Sequence, residues 1–150
     1  MTMRLWDYRL LPYLPKGQLL SQKRECDLIW NDIAKGKQTN HILINYIWEY
    51  DAPKEELSVY YKRLCYEFAR RGFKFNWNKN ALPNLNDCMC VIPFDKHHNK
   101  RYLVQCFYNL QEKYDRGQKD FDLETYRKLV KFVDNEVNFN FDYLLNLKEE

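Results

Sequence analysis

The segment from Asp51 to Gly72 restricts the fold more than any other part of this sequence. It opens with Asp51, a proline and two glutamates, and it closes with two arginines followed by Gly72. Acidic residues at the start and basic residues at the end of a helix interact favourably with its dipole, and glycine adopts the left-handed conformation that ends many helices. Between these boundaries the apolar residues recur at helical spacing: Leu57, Tyr61, Leu64 and Phe68. The pattern predicts an amphipathic helix with Asp51 as its cap.

Three other segments also show helical spacing. Residues 17–35 lie between Pro15 and Gly36, and further helices are predicted at about 98–115 and after an Asp122 cap. In the first of these, an apolar face lies next to a polar stripe. The apolar face holds Leu19, Cys26, Trp30 and Ile33, and the polar stripe holds Gln18, Gln22 and Glu25. We expect the polar stripe to follow the rim of the buried face.

The segments between these helices have weaker patterns. Residues 37–50 are rich in β-branched and aromatic side chains but have no partner strand, so buried extended chain is predicted. Residues 73–96 combine prolines, asparagines and aromatics without periodicity, which predicts a long irregular segment. The apolar tail after Asn138 is expected to pack back on the helices. The whole chain, 1–150, is therefore predicted to be a mainly α-helical, compact single-domain bundle with long irregular loops and little or no β-sheet.

Composition excludes several classes of protein. The aromatic fraction is 17%, which is too high for a disordered polyampholyte. The sequence has no run of about 18 apolar residues and no signal-peptide core, so we expect a cytoplasmic protein that does not enter a membrane. The five cysteines are an odd number in a chain long enough to form a core without disulfides, which predicts reduced and mostly buried thiols.

The net charge of +3 is small but unevenly placed along the chain. Residues 1–75 carry 13 basic and 9 acidic side chains, whereas residues 76–150 carry 11 basic and 12 acidic side chains. Any surface that binds an anion is therefore expected in the first half of the chain.

Two features of that half could carry chemistry. Thr2 is small enough to permit removal of Met1, and its free α-amine, with a reference pKa of about 7.7–8.0, would be a nucleophile toward an aldehyde carbon. Arg24 and Glu25 place a cation beside a carboxylate on a partly buried helix. They could form an exposed surface pair, or Glu25 could act as a general acid and base. The residue types alone leave both interpretations open.

Several strings of residues in this half form a recognisable series. Met3-Arg-Leu-Trp6 is followed by Leu10-Leu-Pro-Tyr-Leu-Pro-Lys-Gly-Gln-Leu-Leu-Ser-Gln-Lys-Arg-Glu-Cys26. Ile33-Ala-Lys-Gly-Lys37 and Tyr66-Glu-Phe-Ala-Arg-Arg-Gly-Phe73 come after them. The series resembles the pyrimidine-dimer DNA glycosylase family, and the last two strings look like the ends of its first two helices. Residues 102–114 are a fainter match to the third helix of the family.

The resemblance implies a DNA repair glycosylase with an associated abasic-site lyase activity, acting as a monomer on damaged double-stranded DNA, with pyrimidine dimers as the expected lesion. The family's nucleophile, an amino-terminal α-amine, corresponds to Thr2, and its catalytic carboxylate corresponds to Glu25. The amine attacks C1′, the base leaves, and the resulting imine promotes β-elimination of the 3′ phosphate. The implied DNA-binding residues are Arg4, Arg24, Gln18 and Lys23. No metal and no organic cofactor is implied.

The chain departs from the family at several positions. Many bacterial relatives begin at the position of Met3, so the amine of Met3 is an alternative nucleophile. A further arginine in the family's first helix stands here as Leu28. The aromatic and basic C-terminal run that engages the lesion has no counterpart in residues 144–150. The resemblance therefore supports the chemistry more than the choice of lesion, and it assigns no role after about residue 117.

Residues outside the resemblance allow other functions. Cys88, Cys90, His97 and His98 could bind a metal, but their spacing is not that of common zinc sites, so partly buried thiols are the simpler interpretation. A zinc-stabilised helical adaptor is thus one rival hypothesis. The other is a non-catalytic module that keeps the fold and binds nucleic acid or protein.

Two further groups of aromatic and basic residues can each be interpreted as structural or as DNA-binding. Trp77, with Lys79 and Asn80 near it, could stack on a base or pack in the core. The pairs Lys62-Arg63 and Arg70-Arg71 are predicted to be solvated helix faces, with contacts to the DNA backbone as the alternative.

Overall fold

The computed structural model describes residues 3–78, 81 and 91–138, and helices hold 64% of them. The α-helices are α1 (Lys16–Ala34), α2 (Pro53–Arg70), α3 (Lys100–Asp115) and α4 (Leu123–Val137). Two 3-10 helices, Tyr8–Tyr13 and Asn45–Glu49, precede α1 and α2. No strand occurs in the described part of the chain, which confirms the prediction of a mainly α-helical fold.

The α-helices pack in two pairs. Helix α1 lies against α2, and α3 lies against α4. The 3-10 helix Tyr8–Tyr13 contacts both α2 and α4, so it joins the two pairs. Large aromatic side chains are fully buried among the described residues, including Tyr60, Tyr61, Phe68 and Phe94. Much of the aromatic content of the sequence therefore forms the core.

Most helix ends follow the local signals in the sequence. Gly36 and Gly72 lie just past α1 and α2 with φ angles of +72° and +77°, a conformation that glycine adopts without strain. Asp122 caps α4 by accepting a hydrogen bond from the Thr125 N–H at 2.8 Å. These predicted boundaries are confirmed.

The predicted cap of α2 is wrong. The helix begins at Pro53, and its N-cap is Ala52, which makes no side-chain hydrogen bond. Asp51 lies one residue before that position. Proline fixes φ and lacks an N–H, so it can start a helix without a capping side chain.

The connector 37–50 is not extended chain, contrary to the prediction. Its backbone N–H groups donate to carbonyl oxygens three residues earlier, from Ile44 to His41 and from Ile47 to Ile44, both at 3.1 Å. Without a neighbouring strand the backbone groups are satisfied locally, which favours turns and a 3-10 helix. Ile44 and Ile47 are buried, whereas Ile42 is 84% exposed.

The described parts of residues 73–96 are irregular, as predicted. The predicted packing of the tail concerns residues 139–150, which lie outside the described residues, as do Thr2, Cys88 and Cys90. Cys26 and Cys106 are buried free thiols. Among the helices that the structure describes, none is long and apolar enough to cross a membrane.

Candidate active site

A cavity of about 450 Å³ lies between α1, α3 and the chain before α1. Four of the predicted site residues line this cavity: Arg4, Gln18, Arg24 and Glu25. Cavities of this size can enclose a small ligand or a single base. Most of the site residues that the resemblance implies therefore surround one concave surface.

Glu25 lies in the cavity wall with only 8% of its surface exposed. Its Oε2 accepts hydrogen bonds from the Arg4 N–H at 3.4 Å and from the Gln22 amide at 2.8 Å. Burial raises the pKa of Glu25 from 4.5 to about 7, although these hydrogen bonds and the charges of Arg24 and Lys113 oppose the shift. A carboxyl with a pKa near neutrality can both donate and accept a proton at physiological pH. The interpretation of Glu25 as an exposed surface carboxylate is therefore wrong.

The polar stripe of α1 follows the rim of the buried face at Gln18, which is half-buried, but not at its other two residues. Gln22 is fully buried, and Glu25 is nearly so. The Gln22 amide nitrogen donates to the Arg4 carbonyl oxygen at 2.8 Å as well as to Glu25. Its Oε1 accepts the Trp6 N–H at 2.7 Å. The Gln22 amide therefore satisfies two backbone groups of residues 4–6, the Arg4 carbonyl and the Trp6 N–H, which have no neighbouring strand to pair with.

Two other helices hold the same short stretch of backbone. The Tyr60 hydroxyl on α2 lies 2.7 Å from both the Trp6 carbonyl oxygen and Gln22 Oε1. The Tyr102 hydroxyl on α3 donates to the Leu5 carbonyl oxygen. Side chains from α1, α2 and α3 thus fix residues 4–6 beside Glu25.

The opposite wall of the cavity belongs to α3. Asn109 and Lys113 lie one turn apart on this helix and both line the cavity, facing Arg24 and Leu28 on α1. Their i, i+4 spacing places them on one face of α3, but the sequence carries no signal that this face lies opposite Glu25. Sequence reasoning missed both residues, and it also missed Gln22.

The cations at the cavity have different environments. Arg24 is exposed and donates to the Ser21 hydroxyl at 2.9 Å. The guanidinium of Arg4 lies 5.7 Å from the centre of the Trp6 ring, within the range of a cation–π interaction. The three cations Arg4, Arg24 and Lys113 outnumber the two carboxyl groups that line the cavity, Glu25 and Glu112, which suits this surface to an anionic ligand.

Gln18 and Lys23 differ in their relation to the cavity. Gln18 lines it, and its Oε1 accepts a hydrogen bond from Gln118 at 2.6 Å. Lys23 does not line the cavity, because residue 23 lies on the other side of α1 from the lining residues Ser21, Arg24 and Leu28. There its ammonium bonds to Asp27 at 2.7 Å and lies 5.4 Å from the Trp77 ring centre. Of the predicted DNA-binding residues, Arg4, Arg24 and Gln18 therefore share the cavity, whereas Lys23 lies apart from them.

Trp77 packs against the core. Its ring makes edge-on contacts with Tyr61 and Phe68, at centroid distances of 5.3 and 5.0 Å. Of the two interpretations that the sequence leaves open, core packing fits this geometry. Its neighbours Lys79 and Asn80 lie outside the described residues.

The basic pairs of α2 make contacts within the protein. Lys62 is only 5% exposed, so the predicted solvated face is wrong at that position. Arg63 lies 4.8 Å from the centre of the Tyr8 ring. Both members of Arg70-Arg71 bond to Glu67, at 2.5 and 2.6 Å. The ring contact of Arg63 and the hydrogen bonds from Arg71 to the carbonyl oxygens of Leu11 and Pro12 tie α2 to the 3-10 helix Tyr8–Tyr13. None of the four basic residues lines the cavity of Glu25.

His98 is held as a neutral core residue. Its Nδ1 accepts the Tyr8 N–H at 3.3 Å, so the proton of the neutral ring lies on Nε2, which donates to the Tyr46 hydroxyl at 2.7 Å. Burial lowers the pKa of His98 well below its usual range, and the charges of Arg9 and His97 act in the same direction. Within the described ranges no three His, Cys, Asp or Glu side chains cluster as metal ligands, and two of the four predicted metal candidates lie outside those ranges.

Acidification is expected to destabilise the fold through His98. The unfolded state takes up a proton near pH 6.5, whereas the buried ring stays neutral, so the free energy of unfolding falls as the pH drops below about 6.5. We expect the change His98→Gln to reduce the loss of stability between pH 6 and pH 5 by about 1 kcal/mol. Urea denaturation at both pH values measures this difference. The variant His41→Gln, a histidine with no such burial, is the control, and an equal loss in wild type and His98→Gln would contradict the prediction.

A family model described as pyrimidine dimer DNA glycosylase matches residues 3–81, just over half of the chain. The matched range contains Arg4, Arg24 and Glu25, whereas the α3 wall of the cavity lies beyond it. The chain has no significant match among curated proteins or among solved structures.

Proposed function

This chain belongs to the pyrimidine dimer DNA glycosylase family, a family of DNA repair enzymes, and we propose that it couples base excision to cleavage of the resulting abasic site. In this proposal residues 1–150 act as one domain and as a monomer on damaged double-stranded DNA, with a pyrimidine dimer as the lesion. The catalytic residues are Thr2, through its α-amine after removal of Met1, and Glu25. The amine of Met3 is the alternative nucleophile.

The proposed reaction needs an amine and a group that moves protons. The amine nitrogen bonds to C1′ while the C1′–N bond to the base breaks, and the base leaves with a proton. The nitrogen then loses a proton, the C1′–O4′ bond of the sugar opens and O4′ takes up a proton, which leaves a protonated imine at C1′. This imine acidifies the C2′ proton. Removal of that proton breaks the C3′–O bond and releases the 3′ phosphate, and hydrolysis of the imine then frees the enzyme. Glu25 suits both the proton donation and the proton abstraction, because burial raises its pKa to about 7.

The hydrogen bond between the Arg4 N–H and the buried carboxylate of Glu25 is the observation that supports this proposal most. An extended chain spans at most about 3.6 Å per residue, so covalent geometry keeps the nitrogen of Thr2 within about 7 Å of the Arg4 nitrogen. The covalent geometry therefore allows a processed amino terminus to reach Glu25. If the two groups meet in the complex with DNA, their proximity would contribute much of the rate.

The cavity is suited to a nucleotide turned out of the duplex. Its volume of about 450 Å³ is sufficient for a base, and Arg4, Arg24 and Lys113 supply positive charge for the flanking phosphates. We propose that Gln18 supports this contact from the same wall. Lys23 is a weaker candidate for DNA binding, because its ammonium already pairs with Asp27.

Borohydride trapping tests the proposed mechanism directly. Incubation of the untagged protein with a duplex that carries one abasic site, followed by borohydride, is expected to give a covalent protein–DNA adduct. Peptide mapping by mass spectrometry should place the adduct on the amino-terminal peptide. The result is expected because borohydride reduces the imine to a stable amine.

Acetylation of the α-amine provides the matched control, since it removes the nucleophile and leaves the cavity intact. The acetylated protein should bind the duplex and form no adduct. An adduct on a lysine, or none with the untagged protein, would overturn the proposed nucleophile. Binding without any adduct would favour the non-catalytic module instead.

A further inference from the structure

The fully buried amide of Gln22 connects the two partners of the proposed reaction. Its nitrogen donates at 2.8 Å to Glu25 Oε2 and at 2.8 Å to the Arg4 carbonyl oxygen. Both of its protons are therefore used, one on the carboxylate and one on the backbone that leads to the amino terminus. We call residues 3–6 the amino-terminal segment.

The other end of the same amide is equally constrained. Gln22 Oε1 accepts the Trp6 N–H at 2.7 Å and lies 2.7 Å from the Tyr60 hydroxyl. An inverted amide would place its NH₂ group against the Trp6 N–H, a donor against a donor. The hydrogen bonds thus permit one orientation of the Gln22 side chain, in which the nitrogen faces Glu25.

We propose that Gln22 is a positioning residue that holds the amino-terminal segment and the carboxyl group of Glu25 in register for the amine-dependent reaction. The proposal rests on the function proposed above and adds a residue to it. Gln22 has no exposed surface and so does not touch the DNA; it acts through Glu25 and through the backbone of Arg4. Small displacements of reacting groups reduce rates strongly, which is why one buried amide can matter for catalysis.

Loss of the amide is expected to change the titration of Glu25 as well as its position. The Gln22 hydrogen bond lowers the pKa of Glu25, so its removal shifts that pKa further upward. The substitution removes no other charged or titratable group around this site: Arg4 in the amino-terminal segment, Arg24 and Cys26 on α1, Tyr60 on α2, which contacts Gln22, and Glu112 and Lys113 on α3. An upward shift can therefore be assigned to the missing amide.

The variant Gln22→Met tests the proposal, because methionine keeps the length of the side chain and removes all of its hydrogen bonds. Single-turnover cleavage of an abasic-site duplex should show a rate constant about 10–100-fold lower than that of wild type. The rising limb of the pH–rate profile should move to higher pH, while the Kd for the duplex changes little. Misfolded protein would lower the amplitude of the reaction and leave the rate constant and the profile unchanged.

Two further variants complete the experiment. Gln111→Met is the matched control, because Gln111 makes one hydrogen bond to Tyr126 between α3 and α4 and does not line the cavity. If Gln22→Met fails to fold, Tyr60→Phe replaces it, since it removes the hydroxyl that contacts both Gln22 Oε1 and the Trp6 carbonyl oxygen and leaves Gln22 itself in place. A smaller loss of rate with a pH shift in the same direction would then support the proposal.

The outcomes separate this proposal from the function on which it rests. If wild type forms the trapped adduct and the Gln22 variant, or its Tyr60 replacement, keeps the wild-type rate constant and pH profile, Gln22 is not a positioning residue. If wild type itself forms no adduct, the proposed function fails first, and the register of Glu25 with the amino-terminal segment has no catalytic meaning.

Discussion

The change Glu25→Gln is expected to lower the rate constant for strand cleavage at an abasic site by about 10²–10⁴-fold, the usual contribution of a general acid or base. Glutamine keeps the size of the side chain and an oxygen that can accept the Arg4 N–H and the Gln22 amide. Only the titrating proton and the negative charge are lost. The Kd for the duplex should therefore stay equal or become tighter, because a negative charge near the phosphates is removed.

The pH dependence gives this prediction a second readout. The carboxylate form of Glu25 takes the C2′ proton, so the wild-type rate constant should rise as the pH increases through about 7, the pKa to which burial raises Glu25. The variant should lack that inflection and keep only the one from the α-amine, at about 7.7–8.0. Single-turnover gel assays between pH 5.5 and pH 9 would resolve both.

A surface variant shows whether the effect is specific. Glu124 lies exposed on α4 and pairs with Lys128 at 3.4 Å, away from the cavity. Glu124→Gln should cleave like wild type. Unchanged cleavage by Glu25→Gln would remove Glu25 from the mechanism, even if the amine adduct still formed.

The helical framework could be predicted because its signals are local. Gly36, Gly72 and Asp122 act within one turn of the helix that they end or begin, and apolar spacing needs only the periodicity of the helix itself. The connector 37–50 could not be predicted in this way. Its β-branched residues are typical of a strand. Because no partner strand lies beside it, its backbone groups form local hydrogen bonds instead.

The candidate site shows the same limit more clearly. A helical wheel places Gln22 and Glu25 beside the apolar face of α1, but it does not show what packs there. Residues 4–6 and Tyr60 cover that side of the helix, so the predicted rim is interior. Lys23 illustrates the opposite case, since the helical spacing alone places it on the other side of α1 from Arg24 and Glu25, where the i, i+4 pair with Asp27 also lies.

Glu25 should also reduce the stability of the protein at alkaline pH. Its pKa is raised from 4.5 to about 7 in the folded state, so the folded protein binds this proton more tightly than the unfolded chain. Its contribution to stability is therefore largest below about pH 4.5 and is lost as the pH rises through about 7. The shift corresponds to roughly 3 kcal/mol, and hydration from the cavity reduces this to about 2 kcal/mol.

Glu25→Gln is accordingly expected to raise the free energy of unfolding at pH 8 by about 2 kcal/mol, or the Tm by about 4–8 °C, and to leave both nearly unchanged at pH 4.5. Urea and thermal denaturation at the two pH values measure the difference, and the acid sensitivity of His98 cancels because both proteins contain it. Glu124→Gln should show no such dependence on pH. A stability gain that is equal at both pH values, or a loss at pH 8, would mean that the fold does not disfavour the charged form of Glu25. The expected result would instead mean that the same burial that tunes Glu25 for proton transfer destabilises the fold at the pH where the enzyme works.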